Sequence, residues 1–363
     1  MALEPRPEIS NLRISEHGGP NYGELEALGL SPGEVIDFSV SSNPNGPPPG
    51  LRIGAKDVHI DRYPDSEAGE LRRCLAQKLG VMTRNILVGS GSTELIRLAT
   101  LAYLGRGDRA MIIEPTFGEY EVACHIMGAS ITRQRLVEEN GFTLDVDRTI
   151  ELIRQHRPQV IFICNPNNPT GHYLDRTRFE RILATASDCL VILDEAYILF
   201  VDSAWSWIDM IGNHNLLVLR SMTKDYTLAG LRLGYAIARE DIINTLRRVC
   251  PPWNVNSVAQ RAGILALQQD EFLERSRALA AKGKDYLVRE LTRLGLRCLP
   301  SEANFFLVEV GNASDFRQWL LRKKILVRDC TSFGLPHHIR IAPRGLAKCR
   351  QLVSAIKELQ GKK

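Results

Sequence analysis

Between residues 86 and 238 the chain alternates strand-length apolar runs with amphipathic stretches, a pattern that few folds can use. ILVGS (86–90), AMIIEP (110–115), VIFICN (160–165), LVILDEAY (190–197), LLVLRS (216–221) and LGYAIA (233–238) read as strands. Between them, TELIRLATLAYL (93–104) and RTRFERILATAS (176–187) place apolar residues at helical spacing. Strands with such continuous apolar runs need cover on both faces. The alternation therefore predicts an α/β fold, a mostly parallel sheet sandwiched by helices. After Pro251-Pro252-Trp253 the texture changes to a long helical region over about 257–293. Strands follow in ANFFLVEV (303–310), ILVRDC (325–330) and IRIAP (339–343), with a closing helix over 346–359. This predicts a large domain over 46–250 and a smaller α+β domain over 251–363. The Pro- and Gly-rich start does not fit the sheet pattern and is expected to form an arm over 1–45, lying across the small domain and the site.

A chain of 363 residues can bury cores of this kind, and its net charge of +4 calls for neither a nucleic-acid nor a membrane partner. No apolar run reaches the length of a membrane span, and the acid-dotted start MALEPRPEISNLRISEHGG does not read as a secretory or transit leader. Eight cysteines are scattered with no CxxC spacing. The expectation is a cytoplasmic protein with free thiols and no metal site.

Five segments carry residues that folding alone does not ask for. In RSMTKDYTLAGLRLGY (220–235), Lys224 follows a strand and small hydroxyl residues, with Arg232 eight positions on. VILDEAY (191–197) ends a buried strand on Asp194. A carboxylate there is costly unless a cation or donors meet it, although an Asp capping the next helix is the plainer explanation of strand-end acids. CNPNNPTG (164–171) is a rigid loop able to aim one amide side chain. GSGSTE (89–94) sits at a strand-to-helix junction, where backbone N–H groups and the helix dipole favour an anion. It also suggests a dinucleotide loop, but Glu94 stands where that fingerprint has its third glycine. EPTFGEY (114–120) offers Phe117, which alone would be ordinary core.

Taken together, these segments resemble the class I/II aminotransferases and their fold-type I relatives, over roughly residues 35–345. The resemblance implies pyridoxal 5′-phosphate (PLP) as cofactor, carried on Lys224 as a Schiff base. It implies Asp194 at the pyridine nitrogen, Tyr197 and Asn168 at the phenolic oxygen, and Phe117 stacked on the ring. Ser92, Thr93, Ser221, Thr223 and Arg232 would bind the phosphate, and Lys224, Asp194 and Tyr197 form the catalytic set. In RYPD (62–65) the resemblance sends Tyr63 across a two-fold interface to the neighbour's cofactor phosphate, which implies a homodimer.

Two branches of that family take phosphorylated amine substrates. One decarboxylates threonine phosphate in cobalamin biosynthesis; the other transaminates histidinol phosphate in histidine biosynthesis. HGG (17–19) followed by IDFSVSSNPNGPP (36–48) is similar to the decarboxylating branch, as are Trp253 in PPWNVN, Arg328-Asp329-Cys330, and the two arginines of IRIAPR (339–344). On this ground the expectation is the decarboxylase, a lyase, with the aminotransferase as the alternative. His17, Gly18, Gly19, Asn43, Arg328, Arg340 and Arg344 are the expected contacts to a phosphorylated amino acid. Arginine forks suit carboxylate and phosphate alike, so their number does not separate the branches. Plainer readings also stand: surface arginines on an edge strand, a His17 that only bonds within the arm, and paired glycines forming an anion nest.

Overall fold

The computed structural model describes residues 3–361 apart from 11 and 55, so residues 1, 2 and 11 of the expected arm lie outside the described residues. In chain order the strands are β1 (Ile36–Asp37), β2 (Ile86–Gly89), β3 (Arg109–Glu114), β4 (Ser130–Arg135), β5 (Val160–Cys164), β6 (Leu190–Asp194), β7 (Leu216–Ser221), β8 (Gly234–Ala238), β9 (Phe306–Glu309), β10 (Ile325–Leu326), β11 (Arg328–Asp329) and β12 (His338–Ile341).

Seven strands form the main sheet in the order β2-β8-β7-β6-β5-β3-β4. Strand β8 runs antiparallel to both neighbours, and the other pairs are parallel. Because side chains alternate across a strand, each apolar run supplies two faces at once. Met111, Ile161, Val191, Val218 and Ile237 enter one core with the helices Gly69–Leu79, Val146–His156, Arg176–Thr185 and Ser257–Leu267. Their neighbours Ile112, Phe162, Ile192, Leu219 and Ala236 enter the other, with Ser92–Tyr103, Glu119–Ile126 and Glu240–Val249. Each fully buried aliphatic chain contributes about 1.5–3 kcal/mol, so both periodicities are strongly enforced.

The structure departs from expectation in three places. Strand β4, SITRQR, has no apolar run; it lies at the sheet edge, where charged residues face water. The helical region after residue 257 is broken at Gln268–Gln269 into Ser257–Leu267 and Asp270–Arg293. ILVRDC divides into β10, which pairs with β1 of the arm, and β11, which joins β12 and β9 in an antiparallel sheet. That sheet packs with Asp270–Arg293, Ala313–Arg322 and Leu346–Gln360 around a third core, which Phe38 of the arm also enters. No helix among the described residues is long and apolar enough to cross a membrane.

Candidate active site

Parallel strands leave their carboxyl ends on one side of a sheet, and open α/β sheets bind ligands there. Strands β5, β6 and β7 end there in Cys164, Asp194 and Ser221, beside a cavity of about 240 Å³. Of the residues expected from sequence, Ser92, Thr93, Phe117, Asn168, Asp194, Tyr197, Ser221, Thr223, Lys224 and Arg232 line it. So do His17, Gly18, Arg328 and Arg340.

Asp194 is 3% exposed and makes no ion pair among the described residues. One carboxylate oxygen accepts from the Ala196 N–H at 2.9 Å, the other from the Tyr120 hydroxyl at 2.8 Å. Burial pushes its pKa up, against those two donors and the nearby charge of Lys224. Tyr120 was missed in the sequence, although its place just after Phe117, in the first turn of the helix Glu119–Ile126, is a usable signal. Its ring stacks on Phe162 at 4.9 Å and meets Phe117 edge-on at 5.6 Å.

Lys224 lies in a single helical turn after β7, with its Nζ 5.9 Å from the centre of the Tyr197 ring. Burial, then the positive charges of Arg340 and Arg232, draw its pKa down to about 8. Burial pushes the Tyr197 phenol up to about 12, so it remains a donor at neutral pH. Asn168 is buried, and its side-chain oxygen accepts from Arg340. The second terminal nitrogen of Arg340 donates to the Ser39 carbonyl at 2.9 Å, while its buried Nε has no partner among the described residues.

A cradle for a phosphate is built beside these groups. Gly91, at φ +82°, precedes the twelve-residue helix Ser92–Tyr103, and a Cβ there would stand 2.8 Å from the Arg232 guanidinium. Only glycine both takes that backbone conformation and lets Arg232 approach. Arg232 itself is held at φ +54° and has no carboxylate partner among the described residues. The hydroxyls of Ser221 and Thr223 lie 2.7 Å apart. Glu94 braces the loop, accepting from Ser90 N–H at 2.6 Å and Asn254 Nδ2 at 2.7 Å, a link that sequence reasoning did not foresee.

Four expected residues are placed elsewhere. Asn43 donates from its side chain to the Asp225 carbonyl at 2.7 Å and from its backbone to the Lys224 carbonyl at 3.0 Å, so it clamps the lysine turn from behind. Gly19 N–H is taken by Ser39 Oγ at 2.8 Å and is not free for an anion. Arg344 spends its donors on the carbonyls of Asp37 and Val40, both at 2.7 Å, and of Ser42 at 3.4 Å. It fastens the arm. Tyr63 is 77% exposed and stacks on Trp253 at 4.1 Å, away from this cavity. Arg328 does line the cavity, and one of its nitrogens donates to the Glu16 carbonyl and to Ser332.

The sequence pattern of the aminotransferase class I and II family matches residues 34–356. The chain belongs to that family. Its cofactor is PLP, and the site fits it: Asp194 is an ion-pair-free buried carboxylate, and the Gly91–Arg232 cradle is an anion pocket. A histidinol-phosphate aminotransferase from Symbiobacterium thermophilum is 35% identical over 98% of this chain and 98% of its own length. The crystal structure of the histidinol-phosphate aminotransferase from Clostridium acetobutylicum superposes with a TM-score of 0.82 at 28% identity, covering 90% of this chain and 99% of that one. The L-threonine-O-3-phosphate decarboxylase from Porphyromonas gingivalis gives 0.74 at 28% identity, over 83% and 91%.

These findings correct the expected reaction. Further curated relatives at 34–38% identity also bear the name histidinol-phosphate aminotransferase, which turns the balance away from the decarboxylase. The structure removes part of the motif case as well. Arg344, one of the features that favoured decarboxylation, is occupied by backbone carbonyls.

Proposed function

We propose that this enzyme transfers the amino group between a phosphorylated amine, histidinol phosphate, and 2-oxoglutarate. The carrying observation is the likeness to histidinol-phosphate aminotransferases at 34–38% identity across 84–98% of the chain. When bound, PLP supplies an electron sink for the substrate's α-carbon. Lys224, drawn down to about 8, keeps enough neutral amine to take and return the α-proton at its Nζ. Asp194 provides the buried negative charge that holds a proton on the ring nitrogen, and Tyr120 orients that carboxylate. Ser92, Thr93, Ser221, Thr223 and Arg232 hold the cofactor phosphate. Arg340, with its unpartnered Nε, is suited to a carboxylate of the oxo-acid partner. Arg328, His17 and Gly18 stand at the substrate side of the cavity.

We further infer a cytoplasmic homodimer. The eight cysteines are all free, and the exposed Tyr63–Trp253 stack is the surface that a second copy would cover. Light scattering under assay conditions tests this, and an active monomer would contradict it. The reaction is tested by incubating the enzyme with histidinol phosphate and 2-oxoglutarate and measuring glutamate. Steady glutamate formation is expected. Repeated CO₂ release from threonine phosphate without any oxo acid, and no glutamate in the first assay, would overturn the proposal.

A further inference from the structure

At the mouth of the cavity, the arm residue His17 meets the large domain. Its side chain is half exposed, its ring centre lies 5.7 Å from that of Phe117, and its Nε2 is 3.1 Å from one oxygen of Glu119. The Glu119 side chain is only 9% exposed, and its other oxygen accepts from Arg97 at 2.7 Å. A buried carboxylate between two nitrogen partners cannot turn freely, so the imidazole is oriented by a group that does not itself line the cavity. With Nε2 engaged by Glu119, the second ring nitrogen, Nδ1, has no partner among the described residues. Gly18 packs beneath it: a Cβ there would lie 2.6 Å from the Ser39 carbonyl oxygen, which fixes the backbone beside the ring.

We infer that Glu119, anchored by Arg97, is a positioning residue that holds the His17 ring in place as a contact for the phosphate monoester end of the substrate. The choice of that end rests on the reading given under Proposed function, and on Arg340 being the cavity arginine suited to a carboxylate. Glu119 acts on substrate only through His17. The two residues should therefore behave as one unit when both are changed.

The test uses the PLP-loaded enzyme and the variants Glu119→Gln, His17→Ala and the double variant. Each half-reaction is followed by absorbance, and each protein is titrated with inorganic phosphate. Loss of one charge-assisted contact predicts an increase of about tenfold in KM for histidinol phosphate in Glu119→Gln, with kcat within about threefold. The KM for glutamate should move less than about twofold, and phosphate should bind about tenfold more weakly. The double variant should be no worse than His17→Ala. Additive losses, or equal KM shifts for glutamate and the phosphorylated amine, would overturn the inference. If histidinol phosphate is not turned over, the amino-transfer reading fails, and the phosphate titration and the double variant still decide the role of Glu119.

Discussion

Replacing Tyr120 by Phe isolates the support of the buried acid. The substitution keeps the stack on Phe162 and the edge contact with Phe117, and removes only the hydroxyl that donates to Asp194 at 2.8 Å. Asp194 then keeps one protein donor, Ala196 N–H at 2.9 Å, and is itself 3% exposed. A hydrogen bond to a charged group contributes about 1.5–3 kcal/mol, so the apoprotein should lose about 2 kcal/mol at neutral pH. The sign with pH follows from burial, which raises the folded pKa of Asp194 above its unfolded value. The folded chain binds that proton first, and the Asp194 contribution becomes more favourable as pH falls from neutral through the raised pKa. The hydroxyl favours the ionised form, so the gap between wild type and Tyr120→Phe should narrow over the same fall. PLP should also narrow it, because the ring-nitrogen cation gives Asp194 a stronger partner. Urea unfolding of apo and loaded proteins reads all three effects. A neutral-pH apo difference below about 0.5 kcal/mol, or one unchanged on acidification, would refute the reasoning.

Lys224→Ala should abolish turnover and the borohydride-sensitive visible absorbance; a covalent adduct at another lysine together with normal activity would be the contrary result. Asp194→Asn should still bind PLP, as seen by absorbance, and lose roughly 10²-fold or more in kcat, since an amide cannot supply the charge. Cofactor uptake by the apoprotein should speed up as pH rises toward about 8 and level off above it, because Lys224 reacts as the neutral amine; stopped-flow absorbance measures this. Arg344→Ala should lose about 2–3 kcal/mol and expose the arm to limited proteolysis, with less effect on KM than Arg340→Ala, because its donors hold backbone carbonyls.

The sheet was legible because six of its seven strands alternate between two buried faces and leave an apolar run in the sequence. Strand β4 was not, since an edge strand with Arg133 and Arg135 reads as surface. The cofactor side of the site was legible for a related reason: Asp194, Lys224 and Arg232 occupy strand ends and turns where packing does not require charge. What escaped depends on contacts between distant segments. Glu94 looks like an ordinary first-turn acid until Asn254, 160 positions away, is seen on it. Tyr120 looks like core until its hydroxyl is found on Asp194. Arg344 and Asn43 were misassigned because type and position suggest an anion contact, while the partners that use up their donors are backbone groups. Backbone partners carry no signature in the residue string. The preference for decarboxylation rested in part on Arg344, a residue of this class.

The arm is tied down on both sides of the site. Arg6 reaches the Ile126 carbonyl and His17 reaches Glu119, both on the helix Glu119–Ile126 that covers the main sheet. Glu24 then pairs with Arg317, strand β1 pairs with β10, and Arg344 grips the carbonyls of Asp37 and Val40, all on the side of the antiparallel sheet. At Asn43 the chain is back against the main sheet, at the lysine turn. The arm thus crosses twice between the two sheets, like a belt threaded through two buckles. Arg344 holds the Ser42 carbonyl and Asn43 holds the Lys224 carbonyl, so a single peptide step links the antiparallel sheet to the reacting lysine.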